Sequence, residues 1–190
     1  MKKIIKNIFS LFNIAIRSKS KLEKKLANSV SINKWEHDLK FAIHIGSHLE
    51  PDFLKLMKLS KSQYRQDLFA LKVLKTKKNG FFVEFGATDG VSGSNTFLLE
   101  KEFGYKGILA EPNPKQRKNI KKNRDAIIVE ECVWSRSGEN LKLTNNGDLS
   151  TIDIIKDNKF SFTVKTISLT DMLKKHNAPS LIDYLSIDTE

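Results

Sequence analysis

The stretch that decides the fold is residues 81–90, FFVEFGATDG, in which an apolar run closes on an acidic residue and two glycines. A short apolar run that ends at a turn is typical of a parallel strand buried on both faces. Gly86 and Gly90 lack a Cβ atom, so the backbone of the turn can approach a ligand closely. We therefore predict a buried strand over 81–86, followed by a turn over 86–93 that binds a charged, nucleotide-like ligand.

A second carboxylate follows at the end of the next apolar run. Residues 107–110 lead into Glu111, which lies 21 positions after Gly90. In nucleotide-binding folds, an acid about 20 residues past the glycine-rich turn hydrogen-bonds the ribose hydroxyls. The spacing predicts that Glu111 binds a ribose, and the alternative is a surface acid before the turn at Pro112.

The acids at the first strand exit indicate which ligand binds. Glu84 and Asp89 add negative charge there, which suits S-adenosylmethionine (SAM) because SAM carries an ammonium and a sulfonium. A dinucleotide would require the spacing Gly-x-Gly-x-x-Gly, which the glycines of this turn do not have. We therefore predict a SAM site and methyl transfer. His44 and His48 lack further ligands at metal-binding spacing, so no metal site is predicted.

The rest of the pattern alternates helices with strands, which is typical of an α/β fold with a mostly parallel sheet. Ser62 and Ser168 are expected as N-terminal helix caps and Gly104 as a C-terminal cap. The predicted helices begin at Ser62 and cover 94–103, 114–124 and 168–175. The predicted later strands cover 107–111, 126–130 (a continuation to Val133 is left open), 141–144, 162–166 and 182–187, with a loop over 145–148.

Length and charge divide the chain into two parts. It has 190 residues and a formal net charge of +11, and we predict a basic, partly helical extension over 1–60 and one domain over 61–190. Residues 1–30 contain eight lysines and arginines against the single acid Glu23. Apolar residues at helical spacing there predict a basic amphipathic helix. That helix either packs on the domain or a partner, or contacts an anionic membrane surface through residues 1–26.

Cysteine usage and hydropathy predict the compartment. Cys132 is the single cysteine, so no disulfide forms within the chain, which fits a reducing cytosol. We expect Cys132 to be a buried core residue. The longest uncharged run near the start, residues 7–16, is too short to span a bilayer. The expected location is therefore cytoplasmic, with peripheral membrane contact as the alternative left open.

Residues 62–190, about two-thirds of the chain, resemble the FkbM family of SAM-dependent methyltransferases. The motifs that carry the resemblance are Ser62-Gln63, Gln66-Asp67, 83–90 (VEFGATDG), Ser94-Asn95-Thr96, Leu98-Leu99-Glu100, Gly107, Glu111-Pro112-Asn113-Pro114, Leu149-Ser150 and 185–190 (LSIDTE). The resemblance implies a Rossmann-like class I methyltransferase fold. It also implies methylation of a hydroxyl oxygen, on a sugar, a glycan or a similar small molecule.

The resemblance also implies roles for single residues. Glu84, Gly86 and Gly90 are expected to line the methionine part of SAM, and Glu111 to hold the ribose. Asp188 and Glu190 are expected beside the methyl group, where Asp188 either acts as general base or is a structural acid. The implied cofactor-binding residues are Gln63, Asp67, Glu84, Gly86, Asp89, Gly90, Asn95, Glu111, Asn113, Cys132 and Val133.

The resemblance further implies that the domain is incomplete at its C-terminus. The family continues past the position of Glu190 with a helix and about three more strands, so we expect an uncovered side on the strand 182–187. The alternative function is an inactive remnant that binds a partner or a membrane surface. An NAD-dependent oxidoreductase is disfavoured by the glycine spacing. A nucleic-acid methyltransferase is disfavoured because no Asn-Pro-Pro-Tyr-like motif is present to hold a flipped base.

Overall fold

The computed structural model describes residues 36, 38–41, 51–146, 149–152 and 161–188. The chain divides after His48 into two units. Of the first unit, residues 36 and 38–41 are described, and they are helical. All elements named below belong to the second unit, residues 49–190.

Five helices and eight strands are described in the second unit. The helices are α1 (Pro51–Leu59), α2 (Gln66–Val73), α3 (Phe97–Phe103), α4 (Arg117–Asn123) and α5 (Leu169–Lys175). The strands are β1 (Phe81–Phe85), β2 (Lys106–Ala110), β3 (Ile127–Val129), β4 (Cys132–Trp134), β5 (Asn140–Asn146), β6 (Leu149–Ile152), β7 (Ser161–Ser168) and β8 (Tyr184–Ile187).

The central sheet is parallel and has the strand order β3-β2-β1-β8. Val83 of β1 pairs with Ile108 of β2 on one side and with Leu185 of β8 on the other. The last four residues of β1 are buried on both faces of the sheet, which confirms the buried strand predicted from FFVEF. The predicted α/β class with a parallel sheet is therefore present, in a strand order compatible with a Rossmann-like fold.

A second sheet, β4-β7-β5-β6, corrects two predictions. The strand predicted over 126–130 is present as β3, but the continuation to Val133 that the sequence left open is wrong, because β3 ends at Val129 and β4 joins β7 in the second sheet. The acids between the two strands form ion pairs near the surface. Glu130, for example, lies 2.9 Å from Lys121. β5 runs antiparallel to both β6 and β7. The second sheet is therefore mixed, whereas the alternation of helices and strands predicts a mostly parallel sheet.

One apolar cluster packs α5 and β7 against the central sheet. Val83, Ile108 and Val129 contribute one residue from each of three neighbouring strands. Ile167 and Met172 cover them from β7 and α5. Burying side chains of this size stabilises the fold by about 1.5–3 kcal/mol each. The strand exits described below are thus anchored by a packed core.

Several helix boundaries differ from the sequence predictions. α3 begins at Phe97 rather than Ser94, because residues 94–96 hydrogen-bond a buried carboxylate instead of forming a helical turn. α4 begins at Arg117 rather than at residue 114. The capping prediction for Ser62 is wrong, since Arg65 occupies the N-cap of α2, although the Ser62 hydroxyl accepts the Gln66 amide at 3.0 Å.

Two other capping predictions are confirmed. The Ser168 hydroxyl accepts the Asp171 amide at 3.1 Å, and Gly104 ends α3 in the left-handed conformation. The predicted loop 145–148 is only partly described, and its first two residues belong to β5. In the described ranges, no helix combines the length and the apolar character needed to cross a membrane. The predicted amphipathic helix of residues 1–26 lies outside those ranges.

Candidate functional site

Three parallel strands end side by side, and the turns that follow them carry most of the predicted site residues. β1 leads to Gly86, β2 to Glu111 and β8 to Asp188. The chain leaves β1 for β2 on one side and returns to β8 on the other, so the strand order reverses between β1 and β8. In open α/β sheets, ligands bind outside the carboxyl ends of the strands at such a switch point. The topology therefore places the candidate site at these three turns.

Gly86 brings two of the turns into contact. Its φ is 76°, a value that favours glycine, and its amide donates to the Ala110 carbonyl at 3.1 Å. A Cβ atom on Gly86 would collide with the backbone oxygen of Asp188. Glycine at this position lets the exit of β8 approach the exit of β1.

The carboxylate of Glu84 lies under the turn and is almost completely buried. Its Oε1 accepts the Asn95 amide at 2.6 Å, and its Oε2 accepts the hydroxyls of Ser94 at 3.0 Å and Thr96 at 2.5 Å. Burial raises the pKa of Glu84, although these hydrogen bonds and the charge of Arg124 oppose the shift. The side chain of Glu84, which the resemblance implies as a SAM contact, therefore binds residues 94–96 and supports the turn.

Arg124, which follows α4, also hydrogen-bonds the turn that Glu84 supports. Its Nη1 donates to the Gly90 carbonyl at 2.9 Å and to the Ser94 hydroxyl at 3.0 Å. Its Nη2 donates to the Thr96 hydroxyl at 2.9 Å, and its Nε donates to Glu100 at 2.9 Å. The guanidinium therefore uses four hydrogen bonds to position a turn that the sequence predicts as the ligand site.

The surroundings of Arg124 are apolar and acidic. The side chain is fully buried and lies 3.8 Å from the Glu84 carboxylate. Its guanidinium carbon lies 5.5 Å from the ring centre of Phe82 and 5.8 Å from that of Phe97, which are cation–π distances. A Cβ on Gly90 would lie 2.8 Å from the Arg124 Cγ, so Gly90 is needed for this packing.

Asp89 closes the turn locally. Its Oδ1 accepts the amides of Val91 at 2.8 Å and Ser92 at 2.7 Å. Partial burial raises the pKa of Asp89, but these amide hydrogen bonds outweigh it and lower the pKa below its usual value. Asn123 of α4 donates to the Asp89 carbonyl at 2.9 Å. The structure therefore gives Asp89 a role in shaping the turn.

Glu111 is held at the end of β2 by two backbone amides. Its Oε2 accepts the Thr88 amide at 2.9 Å, and its Oε1 accepts the Asn113 amide at 2.8 Å. Burial raises its pKa, while these two hydrogen bonds oppose the shift. Thr88 has a φ of 44°, which is rare for a β-branched residue. Strained residues of this kind are concentrated at ligand sites.

Buried polar side chains continue the site toward α2 and β8. Asn95 is 3% exposed, and its amide donates to the Ser186 hydroxyl at 3.0 Å. The Ser62 hydroxyl donates to Asn95 Oδ1 at 2.6 Å. Asn113 is also buried and accepts the Lys115 amide at 3.0 Å. Asn95 therefore lies beyond the turn that follows β1, and Asn113 lies two residues after Glu111.

Asp67, near the start of α2, has one satisfied and one unsatisfied carboxylate oxygen. Its Oδ1 accepts the Ser60 hydroxyl and the Leu68 amide, both at 2.8 Å. Its Oδ2 is buried and has no hydrogen-bond partner in the part of the chain that the structure describes. Burial raises the pKa of Asp67 to about 6, although the charge of Arg65 opposes the shift.

Tyr184 connects Asp67 electrostatically to the strand exits. Burial raises the pKa of Tyr184 to about 12, and the charges of Glu84, Asp67 and Asp188 add to that shift, against a hydrogen bond with Ser186. The charges of three predicted site carboxylates therefore act on one phenol of β8.

The remaining predicted residues are placed less centrally. Gln63 is exposed and donates to the Tyr64 hydroxyl at 3.3 Å. Cys132 and Val133 begin β4 and are only half-buried, which corrects the prediction of a buried core cysteine. Burial and the charge of Glu111 raise the pKa of the Cys132 thiol, so it lies near the β2 exit. Glu190 lies outside the described residues.

These residues fit the chemical groups of SAM. A ribose diol requires fixed acceptors, and each Glu111 oxygen has a lone pair beyond the one that accepts an amide. A cationic amino-acid end requires negative charge, and Asp67 has an unpaired buried oxygen. Close approach of the ligand requires a turn without bulky side chains, which the glycines at positions 86 and 90 provide.

Sequence reasoning missed Arg124, Tyr184, Ser186 and Thr96 as parts of the site. Arg124 follows a run of lysines and arginines and has no feature in a single sequence that separates it from its exposed neighbours. Ser186 and Tyr184 pair with residues that lie 102 positions earlier in the chain, so no local spacing reveals them.

No protein-family model matches the chain, and no curated protein or solved structure matches it either.

Proposed function

We propose that the chain is a SAM-dependent O-methyltransferase of the FkbM type, with a Rossmann-like class I methyltransferase fold. It would transfer a methyl group to a hydroxyl of a sugar, a glycan or a similar small molecule. The observation that carries the proposal is Glu111, a buried carboxylate fixed by two backbone amides at the exit of β2. It lies one strand away from a glycine turn at a topological switch point, which is where a ribose-binding acid is needed.

The binding roles follow from these placements. Glu111 accepts the two ribose hydroxyls, and the turn 86–93 faces the methionine part. Glu84 and Arg124 hold that turn in shape from below. Cys132 and Val133, close to the β2 exit, border the adenine. Asn113 lies beside Glu111 on the same turn and approaches the adenosine.

The chemistry requires little from the protein beyond alignment. SAM supplies a methyl group that is already activated by its sulfonium. Holding an acceptor hydroxyl in line with that methyl group can lower the barrier by about 7–11 kcal/mol. Asp188 follows β8, its backbone lies against Gly86, and its side chain is exposed. It is therefore our candidate for accepting the hydroxyl proton.

Calorimetric titration of SAM into the 190-residue chain tests the proposal. We expect saturable binding that is weakened at least about tenfold in Glu111→Ala, because two charge-assisted hydrogen bonds to the ribose are lost. The matched control is Glu130→Ala. Glu130 also follows a strand of the central sheet, but its side chain pairs with Arg117 and Lys121 at the surface.

Two results would contradict the proposal. One is a folded wild-type chain that gives no heat of binding with SAM. The other is equal weakening of binding by the substitutions at 111 and 130, which would mean that the effect of Glu111 is not local.

The partners and location are part of the same proposal. We propose a small-molecule or glycan acceptor and no nucleic-acid partner. We also propose a cytoplasmic location, which is supported by the single, unpaired cysteine. Peripheral contact with an anionic membrane would use residues 1–26, which lie outside the described residues.

A further inference from the structure

The outer face of α2 carries apolar side chains that are open to solvent. Phe69 is 61% exposed and Val73 is 62% exposed, and residues four apart lie on the same face of a helix. On the inner face, Leu68 and Leu71 are fully buried. A helix that is apolar on both faces is typical of one that is covered on both sides, so a partner is expected on the outer face.

The end of the same helix and the turn after it carry a concentration of positive charge. Residues 72–78 contain four lysines and no acid, and all four lysines are exposed. One of them, Lys77, forms an ion pair with Asp183 at 2.5 Å. The excess of positive charge lies directly beside Phe69 and Val73, and it complements an anionic surface.

Backbone hydrogen bonds fix the turn that carries these lysines. The Thr76 amide donates to the Leu71 carbonyl at 2.8 Å, and the Asn79 amide donates to the Phe103 carbonyl of α3 at 2.9 Å. Thr76 has a φ of 53°, which is rare for a β-branched residue. The lysines therefore extend from a backbone that is already ordered before a partner binds.

This surface lies at the opposite end of the central sheet from the proposed SAM site. The turn leads into β1 at Phe81, and Gly86 follows the last residue of that strand. β1 has five residues, so its two ends are about 17 Å apart. Asp183, which precedes β8, accepts hydrogen bonds from Lys77 and from the Phe81 amide. Leu181, which is 65% exposed, therefore adds a third apolar side chain at this end.

The chemistry of this surface fits an anionic lipid bilayer. Apolar side chains enter the boundary between headgroups and acyl chains, while lysines beside them contact the lipid phosphates. Lysine supplies all of the positive charge in residues 72–78, so the planar fork of arginine, which favours specific pairing with a nucleic acid or a protein carboxylate, is absent there. The phosphate backbone of a nucleic acid would also give Phe69 and Val73 no apolar contact.

We propose that Phe69, Val73 and the lysines of residues 72–78 form a contact surface for an anionic membrane. This surface is separate from residues 1–26, and it goes beyond the proposed function because it does not involve SAM. A chain bound in this way keeps the exits of β1 and β8 on the aqueous side, about the length of β1 away from the lipid.

A polarity-sensitive fluorophore at position 73 tests the contact in the full 190-residue chain. Cys132 is the single cysteine, so Cys132→Ser combined with Val73→Cys gives one labelling site. The matched control is Ile187→Cys in the same background, because Ile187 is also 62% exposed but lies at the other end of the sheet. Both labelled proteins are mixed with vesicles of phosphatidylcholine alone and with vesicles of phosphatidylcholine and phosphatidylglycerol in equal parts.

We expect the emission of the label at position 73 to shift to shorter wavelength with the anionic vesicles and to stay unchanged with the neutral ones. The label at position 187 should not shift with either. Sedimentation of the chain with anionic vesicles without a shift at position 73 would mean that another segment binds the lipid, and the inference would be wrong. A shift at both positions, or no binding to anionic vesicles, would also overturn it.

Substitutions in the otherwise unlabelled chain measure the two contributions. Lys75→Gln combined with Lys78→Gln should weaken binding to the anionic vesicles by about fivefold for each lysine. Lys118→Gln combined with Lys122→Gln removes the same charge from exposed positions of α4 and should change binding little, because distant exposed charges are screened by salt. Equal weakening by the two pairs would show that net charge alone attracts the chain, which would overturn the inference.

Phe69→Ser should weaken vesicle binding by about tenfold, because an apolar side chain no longer enters the lipid. Its thermal unfolding and its sedimentation in the absence of lipid should match those of the wild-type chain. A lower unfolding temperature would mean that the protein itself covers this face, and dissociation of a wild-type dimer would mean that a second copy does. Either result would overturn the inference while leaving the proposed SAM site untouched.

Discussion

At the scale of single residues, three buried carboxylates show how differently one side-chain type can be used. Burial raises the pKa of Glu84, Glu111 and Asp67 alike. Glu84 is surrounded by donors of its own chain, Glu111 is held by amides that leave lone pairs free, and Asp67 keeps one oxygen unpaired. The sequence shows only an acid at each position. The hydrogen-bond donors around each carboxylate show whether it supports the protein's own backbone or has an oxygen available for a ligand.

Ionisation of the buried Asp67 carboxyl should destabilise the unliganded protein at neutral pH. Its pKa is about 6 in the folded protein against 3.8 ordinarily, so the folded chain binds its proton more tightly than the unfolded chain does. Its contribution to stability is therefore present below about pH 4 and is lost as pH rises through about 6. We expect the stability of Asp67→Asn relative to wild type to increase by up to about 3 kcal/mol between those limits.

Urea denaturation at several pH values measures this difference. Comparing the two proteins at each pH cancels the other titrating groups and any constant effect of the new amide. If the difference in the free energy of unfolding stays the same from pH 4 to 7.5, the Asp67 carboxyl does not titrate as its burial requires.

At the scale of elements, the end of α4 and the glycine turn form one unit. Asn123 and Arg124 donate to the carbonyls of Asp89 and Gly90. The same guanidinium reaches the Thr96 hydroxyl just before α3. A helix that looks like a solvated basic segment in the sequence is therefore what orders the turn between β1 and α3.

Replacing Arg124 should strongly destabilise the domain. Arg124→Met keeps much of the side-chain length but leaves Glu84 buried without the cation beside it, and Glu100 keeps only its ion pair with Lys101. Removing one partner of a buried ion pair costs about 3–5 kcal/mol. The matched control is Lys121→Met on α4, whose ion pair with Glu130 is exposed and should contribute less than about 1 kcal/mol.

Denaturation by urea, followed by circular dichroism, gives both free energies of unfolding. Similar losses for the two variants would show that the Arg124 cluster does not hold the turn. A loss confined to Arg124→Met would assign the effect to burial, since both substitutions remove one positive charge near the end of α4.

At the scale of the whole molecule, the place of a strand in the central sheet decides how far its side chains are buried. β2 lies between β1 and β3, and Ile108 at its centre is 0% exposed. β8 pairs with β1 alone among the described strands, and Ile187 on it is 62% exposed. Apolar residues of the same type thus contribute very differently to the core, according to their strand's place in the sheet.

This difference predicts two unequal substitutions. Ile108→Ala should lower the free energy of unfolding by about 2–5 kcal/mol, because it leaves a cavity in the core. Ile187→Ala removes the same atoms from an exposed position and should change it by no more than about 0.5 kcal/mol. Thermal and urea unfolding of both variants checks this. A cost at 187 close to that at 108 would mean that β8 is covered in solution.

The sequence predicts the central strands well because their signals are local. β1 and β2 are continuous apolar runs that end at a turn or an acid, and they lie within one or two residues of their predicted bounds. The continuation of the strand 126–130 to Val133 fails because an apolar run does not state which sheet it joins. Residues 132–134 pair with Thr166–Ser168, more than 30 positions later. Helix starts fail where side chains capture a buried carboxylate, as at residues 94–96.

By itself the sequence determined most of the segments that form strands and the acids that follow β1 and β2, because burial periodicity and turn chemistry are local properties. The tertiary structure alone decided how those acids are partnered. Arg124 reaches Gly90 across 34 positions, and Asn95 reaches Ser186 across 91. Contacts at such separation depend on how the strands are ordered in the sheet. The fully engaged Glu84 and the half-paired Asp67 therefore become distinguishable only in the folded chain.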